Sequence, residues 1–374
     1  MTNKVCLVGP VHPYRGGIAH FTGLLAAEFA RDWQVLVASF TRLYPSVFFP
    51  GKTQFDDGGS PPDVESVRVI DSINPFTWWR TARTIARFEP DLVVFTWWHP
   101  FFAAAYATIT FFAKRRPRAR VVFLCHNVLP HESSPLDRIL TRLGYAQVNH
   151  FLVQSQQDKR DLLRLKPGAR VAVRPHPVYD FFNRGRCTRE DARKQLAVDG
   201  RVILFFGLVR PYKGLRLLID AFASGVRQLQ TTLLIVGEFY EDKQPHLDRI
   251  RELSIESHVR VVDRYVPDEE VETYFRACDL VVLPYLSATQ SGITQIAYGF
   301  DKPVIVTAVG GLPDVVEDGV TGFVVPPRDP DALARAISRF FLENMGEPMQ
   351  RGVAAARARF SWAACKEALV ELSR

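Results

Sequence analysis

The sequence predicts an α/β fold: two Rossmann-like, doubly wound domains facing across a cleft. Three observations predict it. Short aliphatic runs alternate with helical patterns along the whole chain. The alternation occurs in two series, joined at the proline-bearing stretch RPHPVYDFF (174–182). A chain of 374 residues also exceeds what one ordinary core accommodates.

In the first series the strand-like runs are KVCLVG (4–9), QVLVASF (34–40), DLVVFTW (91–97), RVVFLC (120–125), HFLVQS (150–155) and VAVRP (171–175). Helical patterns lie between them at 17–31, 76–88, 101–115, 135–147 and 156–165. The second series runs through RVILFFG (201–207), TTLLIVGE (231–238), VRVVDRY (259–265), LVVLPY (280–285), PVIVTA (303–308) and GFVVP (322–326). Strands that alternate with helices make parallel sheets with right-handed crossovers. Ligands of such sheets sit at the carboxyl ends of the strands. The expected domains are 1–178 and 179–352, with 353–374 a terminal helix that crosses back to the first.

Composition excludes several classes. The five cysteines are scattered, with no CxxC and no His/Cys cluster at zinc spacing, which argues for a reducing compartment and no structural metal. The start MTNKVCLVGPVHP lacks the basic and apolar regions of a secretory signal. A cytoplasmic location follows as the expectation, peripheral on the inner face of the membrane. Residues 1–180 hold 22 Lys and Arg against 14 Asp and Glu; the remainder holds 25 against 26. The basic half therefore suits an anionic partner. Its aromatic stretches NPFTWWRTARTIARF (74–88) and TWWHPFF (96–102) mix Trp and Phe with cations, which points to a membrane surface. Nucleic acid is not expected, because no recognition motif accompanies the charge. Residues 92–113 are apolar enough to mimic a membrane span, but His99-Pro100 interrupts them. A strand (92–98) and a buried helix (100–113) give the same hydropathy.

Four loops at strand ends carry the chemistry. GPVHPYRGGIAHF (9–21) places Gly16 and Gly17 where a helix opens, so backbone N–H groups can meet an anion. FLCHNVLPHESS (123–134) delivers His126 and Asn127 to a strand end, with His131 close behind; an imidazole there can move a proton or bind a hydroxyl. GLVRPYKGL (207–215) sets Arg210 and Lys213 around a turn before a helix, two cations suited to a diphosphate. PYLSATQSGITQIAYGFDKPVI (284–305) ends a strand in polar residues; Ser291-Gly292 starts the next helix, with Thr294 and Gln295 in its first turn. Simple capping by Ser or Thr is the competing reading of that loop. Asp329-Pro330-Asp331 reads as a turn and helix cap, not a metal motif.

The segments GLVRPYKGL, VGE (236–238), VVDRYVPDEEVETYFRACDLVVLPY (261–285) and PVIVTAVGGLPDVVEDGVTGFVVPPRDPDAL (303–333) together resemble the donor-binding domain of retaining glycosyltransferases of the GT-B fold, glycosyltransferase family four. GPVHPYRGGIAHF and CHNVLPHE resemble that family's acceptor domain. The resemblance implies a glycosyltransferase that moves a sugar from a nucleotide-diphosphate sugar, with retention, to a glycan or lipid-linked acceptor. It implies catalytic roles for His126, Arg210 and Lys213. It implies donor contacts from Gly16, Gly17, Gly207, Glu238, Tyr265, Val266, Ser291, Gly292, Thr294 and Gln295, and acceptor contacts from Asn127 and His131. No metal and no cofactor are implied beyond the nucleotide sugar as co-substrate. One departure stands out: the family's two glutamates, eight positions apart in the fourth loop, are absent, and Gln290, Thr294 and Gln295 occupy that neighbourhood. A same-fold epimerase or phosphorylase, or a non-catalytic nucleotide-sugar binder, are the alternatives this leaves.

Overall fold

The structure is a computed structural model that describes residues 3–45, 53–55, 65–115, 119–130 and 134–374. Its chain divides into two units: residues 1–175 with 361–374, and residues 176–360. The first boundary falls three residues before position 178. The returning segment starts at Ser361 rather than at 353, because α13 (Gly346–Ala356) and Phe360 stay with the second unit. The proline-bearing joint is not a solvated linker: His176, Val178, Tyr179 and Phe182 are buried.

In the first unit, β1 (Lys4–Val8), β2 (Gln34–Arg42), β3 (Ser66–Asp71), β4 (Leu92–Trp97), β5 (Arg120–Cys125), β6 (His150–Val153) and β7 (Arg170–Val173) pair in parallel. Their order is β3-β2-β1-β4-β5-β6-β7. β1 sits between β2 and β4, with Cys6 opposite both Leu36 and Val93. The strands read as continuous apolar runs because both faces are covered. Val5 and Leu7 pack with Phe21 and Leu25 of α1 (Gly17–Ala30) and Leu369 of α14 (Trp362–Leu372). Cys6 and Val8 face the other way. Their cluster takes in Trp78 of α2 (Pro75–Phe88), Tyr106 of α3 (Ala103–Ala113), Tyr145 of α4 (Pro135–Tyr145) and Leu162 of α5 (Gln156–Leu165). Alternate side chains of one strand thus feed two helix layers.

Residues 92–113 resolve as β4, a 3₁₀ turn at Pro100–Phe102 and α3. Among the described residues, no helix is long and apolar enough to cross a membrane. The aromatic stretch at 96–102 corrects the surface reading: Trp97 and Phe102 are fully buried and Trp98 is half-buried, so these rings belong to the core. β3 was not among the expected strands. It lies at the sheet edge, partly exposed, where its sequence SVRVID interrupts the apolar run with an arginine.

In the second unit, β8 (Arg201–Phe206), β9 (Thr231–Val236), β10 (Val259–Val262), β11 (Leu280–Leu283), β12 (Val304–Thr307) and β13 (Gly322–Val325) form a parallel sheet in the order β10-β9-β8-β11-β12-β13. In each sheet the chain starts at a central strand, builds to one side and returns to build the other. The reversal points lie between β1 and β4, and between β8 and β11. Loops leaving adjacent strands at such a point diverge and open a crevice at the carboxyl edge.

Because α14 completes the first unit's core from the far end of the sequence, Leu369→Ala will destabilise that unit by about 2–5 kcal/mol. Chemical denaturation followed by circular dichroism measures it; a change under about 0.5 kcal/mol contradicts the packing.

Candidate functional site

The second unit's reversal point gathers most of that unit's predicted residues. β8 ends at Gly207, which has φ +103. A Cβ there would lie 3.1 Å from Lys213 Nζ and 3.3 Å from Ile293 Cδ1. The lysine amine and the first turn of α10 (Gly292–Gly299) therefore converge on this strand end. Arg210 leads into a 3₁₀ turn, Pro211–Lys213, which closes at Gly214 with φ +68. A Cβ on Gly214 would stand 2.0 Å from the carbonyl oxygen of Pro284, so only glycine lets the loops after β8 and β11 touch. Leu286 N–H donates to the Tyr212 carbonyl at 2.7 Å and fastens the same contact.

Lys213 is only 8% exposed. Its amine stands 5.5 Å from the Tyr285 ring centroid, and among the described residues no carboxylate pairs with it. Burial, aided by the nearby Arg210 charge, pulls the amine down to about 8. The Arg210 guanidinium lies 5.1 Å from the Tyr240 ring centroid and likewise has no carboxylate partner among the described residues. A buried cation without an anion is costly to maintain and marks a place where an anion binds.

Helix α10 adds to this field. Ser291 is its N-cap but makes no capping bond; its hydroxyl lies 3.3 Å from Tyr285 Oη instead. That corrects the simple capping reading. No acidic residue occupies the first turn, so the helix's positive end is not neutralised from within. Thr294 Oγ1 and both side-chain polar atoms of Gln295 are buried with no hydrogen-bond partner among the described residues, as is Gln290 Oε1. On the other side of β8, buried Glu238 follows β9 and accepts through its carbonyl from Val209 N–H at 2.9 Å. Tyr265 and buried Val266 lie between β10 and α9 (Asp268–Ala277). Tyr285 and Tyr240, which line the two cations, were not singled out in the sequence. Their only signal was adjacency to predicted loops.

The first unit presents its own set at its carboxyl edge. Gly16 caps α1 with φ +106, a conformation that favours glycine, and Gly17 begins the helix; among the described residues nothing lies within 4 Å of where a Cβ on either would stand. His126 follows β5, buried, its N–H donating to the Trp97 carbonyl at 2.8 Å. Its Nδ1 lies 3.4 Å from Gln154 Nε2, and its ring meets Phe21 edge-on at 4.6 Å between centroids. Asn127 follows, half-buried. His131 lies outside the described residues. Asp329 caps α12 (Pro330–Leu342), accepting from Ala332 N–H at 2.8 Å, as its turn-and-cap reading expected. Among the described residues no group of three His, Cys, Asp or Glu is placed to hold a metal.

Comparison with known proteins gives a consistent picture. The family described as "Glycosyl transferases group 1" matches residues 200–343, and that described as "Glycosyltransferase Family 4" matches residues 15–180. The D-inositol 3-phosphate glycosyltransferase of Saccharomonospora viridis is 29% identical over 245 residues, which is 61% of this chain and 56% of the relative. Its counterpart in Mycobacterium tuberculosis strain F11 is 28% identical over 235 residues, 60% of this chain and 48% of the relative. The matched stretch thus spans about half the length of these relatives. Among solved structures, Anabaena HepE in complex with UDP and glucose superposes with a TM-score of 0.76 at 20% identity, over 98% of both chains. Sucrose-phosphate synthase from Thermosynechococcus elongatus gives 0.72 at 19% identity, over 99% of this chain and 98% of that one. At these identities the structural likeness establishes the fold.

The strained charge of Lys213 has a measurable consequence without any ligand. Its folded value near 8 lies below the ordinary 10.5, so the unfolded chain binds more protons between those limits. The penalty is complete below pH 8 and is relieved as pH rises toward 10.5. Lys213→Met should stabilise the unliganded protein at pH 7 by about 3 kcal/mol. It should also flatten the rise of stability across pH 8–10. Thermal melts across that range decide it; an unchanged or lowered melting point contradicts the burial cost.

Proposed function

This chain belongs to the group 1 glycosyltransferases of the GT-B fold and is a transferase enzyme, and from that premise we propose that it moves a hexose from a nucleoside-diphosphate sugar to a hydroxyl of a lipid-linked glycan, with retention. One observation carries the proposal: a buried lysine with no carboxylate partner among the described residues, beside a helix start that has no acid of its own. That arrangement suits a diphosphate. HepE, which shares the fold, was crystallised with UDP and with UDP-glucose, so uridine-diphosphate hexoses are the first donors to test.

In this reading Arg210, Lys213 and the α10 N-terminus hold the two phosphates. As the bond from the anomeric carbon to the diphosphate oxygen breaks, charge accumulates on that oxygen, and these groups stabilise it. The acceptor oxygen takes its place on the carbon and its proton passes to the departing diphosphate. No metal or cofactor is required, since fixed cations and the helix dipole supply the positive field. Thr294 and Gln295 offer neutral donors and acceptors to sugar or ribose hydroxyls. Ser291 and Gly292 give the helix start that meets the phosphates. Glu238, Tyr265 and Val266 border the nucleoside. Gly16 and Gly17 leave room for backbone approach to the diphosphate, and His126 contacts the transferred sugar. Asn127 and His131 are the residues assigned to the acceptor. The excess of cations in residues 1–180 supports an anionic, phosphate-bearing acceptor at the inner face of the membrane.

Two outcomes test this. A UDP-hexose will raise the melting temperature of wild type and will do so far less for Lys213→Ala, with transfer slowed by about 10²–10³-fold. Donor affinity will hold steady below pH 8 and weaken above it, because the unliganded lysine must be protonated to receive the diphosphate. Equal turnover in wild type and Lys213→Ala, or donor-dependent release of an altered sugar with no acceptor, overturns the assignment.

A further inference from the structure

We infer that the outer surface of α2, α3 and α4 is a docking face for an anionic lipid bilayer. The inference rests on the reading of a lipid-linked acceptor and names the face that would bring the enzyme to it. Ten large hydrophobic side chains are exposed among the described residues, and seven belong to this region: Ile73, Phe76 and Trp79 at the start of α2, Phe111 on α3, and Leu136, Ile139 and Leu143 on α4. The three helices share one layer, since Trp78, Tyr106 and Tyr145 enter one core cluster on the same side of the sheet.

Helix α4 divides its apolar residues: Leu140 and Tyr145 pack on the core, while Leu136, Ile139 and Leu143 do not. Its buried residues are Thr141, Gly144 and Tyr145, whereas Leu136 and Ile139 are both more than 60% exposed. The cause is Trp97: a Cβ on Gly144 would stand 2.6 Å from the indole, so only a small side chain can turn inward there. The close approach at Gly144 seats the helix on its Thr141, Gly144 and Tyr145 side, and Leu136, Ile139 and Leu143 stay outward. An aliphatic stripe held toward solvent, with aromatic neighbours, needs an apolar partner.

The charge on this face identifies that partner. Arg80, Arg83 and Arg87 are exposed on α2, and Arg138 and Arg142 on α4. Arg83 lies 4.6 Å over the Trp79 ring, and Arg115 lies 4.4 Å over Phe111. The sole acid within these helices, Asp137, is occupied by the α4 capping box with Ser134. Exposed rings beneath guanidinium groups match the boundary between acyl chains and anionic headgroups, whereas a protein partner of ordinary composition would leave these cations opposed by no fixed charge. Asp137 also interacts with His99, which places the start of α4 at the carboxyl edge that carries His126. A bilayer on this face would present its headgroups near that edge.

Vesicle flotation tests the proposal. Wild type should bind vesicles containing one third phosphatidylglycerol and not vesicles of pure phosphatidylcholine. Trp79→Ser combined with Ile139→Ser should weaken binding about tenfold or more. Arg83→Glu combined with Arg138→Glu should abolish the preference for phosphatidylglycerol. These positions are exposed, so the melting temperature and its rise with UDP-hexose should match wild type in both variants. Equal binding to both vesicle types, or wild-type binding by the Trp79/Ile139 variant, overturns the inference. So does a wild-type dimer, seen by sedimentation, that the same variant dissolves while no vesicle binds. Vesicle binding with no melting response to any nucleotide sugar would instead leave the surface standing and remove the donor assignment.

Discussion

The constraint on which this protein turns is an ammonium group kept out of water with no carboxylate among the described residues to neutralise it. Lys213 is held there by a turn that glycine alone can close, against a loop whose carbonyl leaves no room for a methyl group. Burial and two of its neighbours make the charge harder to keep. Arg210 repels it, the Tyr285 ring offers only its weak quadrupole, and the adjacent helix points its positive end inward. A fold under selection for stability alone would place a methionine or a carboxylate nearby. Retaining the cost is what a site for a multiply charged ligand requires, since binding energy then appears where the ligand's charge changes most.

Topology explains why this can be done twice in one chain. Each parallel sheet reverses its direction of growth beside its first strand, and the loops at that reversal diverge. In the second unit the loops after β8 and β11 supply the cations and the helix start. In the first, the loop after β1 supplies the glycines and that after β5 supplies His126. The sheets themselves carry no chemistry. Being covered on both faces, they fix the loop ends, and the candidate site residues sit where strand pairing stops.

Most of the architecture was legible because a doubly covered strand is apolar at nearly every position, and such runs stand out. β3 escaped because an edge strand can place Arg68 in its middle, where it bonds the Phe40 carbonyl at the sheet margin. The site was legible at Gly207, Arg210, Lys213 and the start of α10, where residue type and position both serve one ligand chemistry. Tyr240 and Tyr285 were not, because an aromatic near a loop reads equally as core. The surface was the least legible part. Hydropathy counts Trp97 and Phe102 as it counts Phe76 and Trp79, yet the first pair is interior and the second is not. In α4 the leucines themselves divide: Leu140 packs on the core, whereas Leu136 and Leu143 stay outward with Ile139.

The glutamates missing from the fourth loop fit the same electrostatic logic. A carboxylate in the first turn of α10 would be stabilised by the helix dipole and would draw on the field that Lys213 and Arg210 create. Thr294 and Gln295 put hydrogen-bonding capacity there without charge. The amide can donate or accept, so it can orient a hydroxyl, but it neither neutralises the cations nor competes with an incoming phosphate. The positive potential at this strand end is therefore left entire for the ligand. In the proposed reaction, electrostatic support for a cationic sugar comes from the negative charge that gathers on the diphosphate itself as the bond to it lengthens. In such a site the leaving group serves as counter-ion to the sugar it releases, and the protein's part is to hold the two phosphates still while that charge moves.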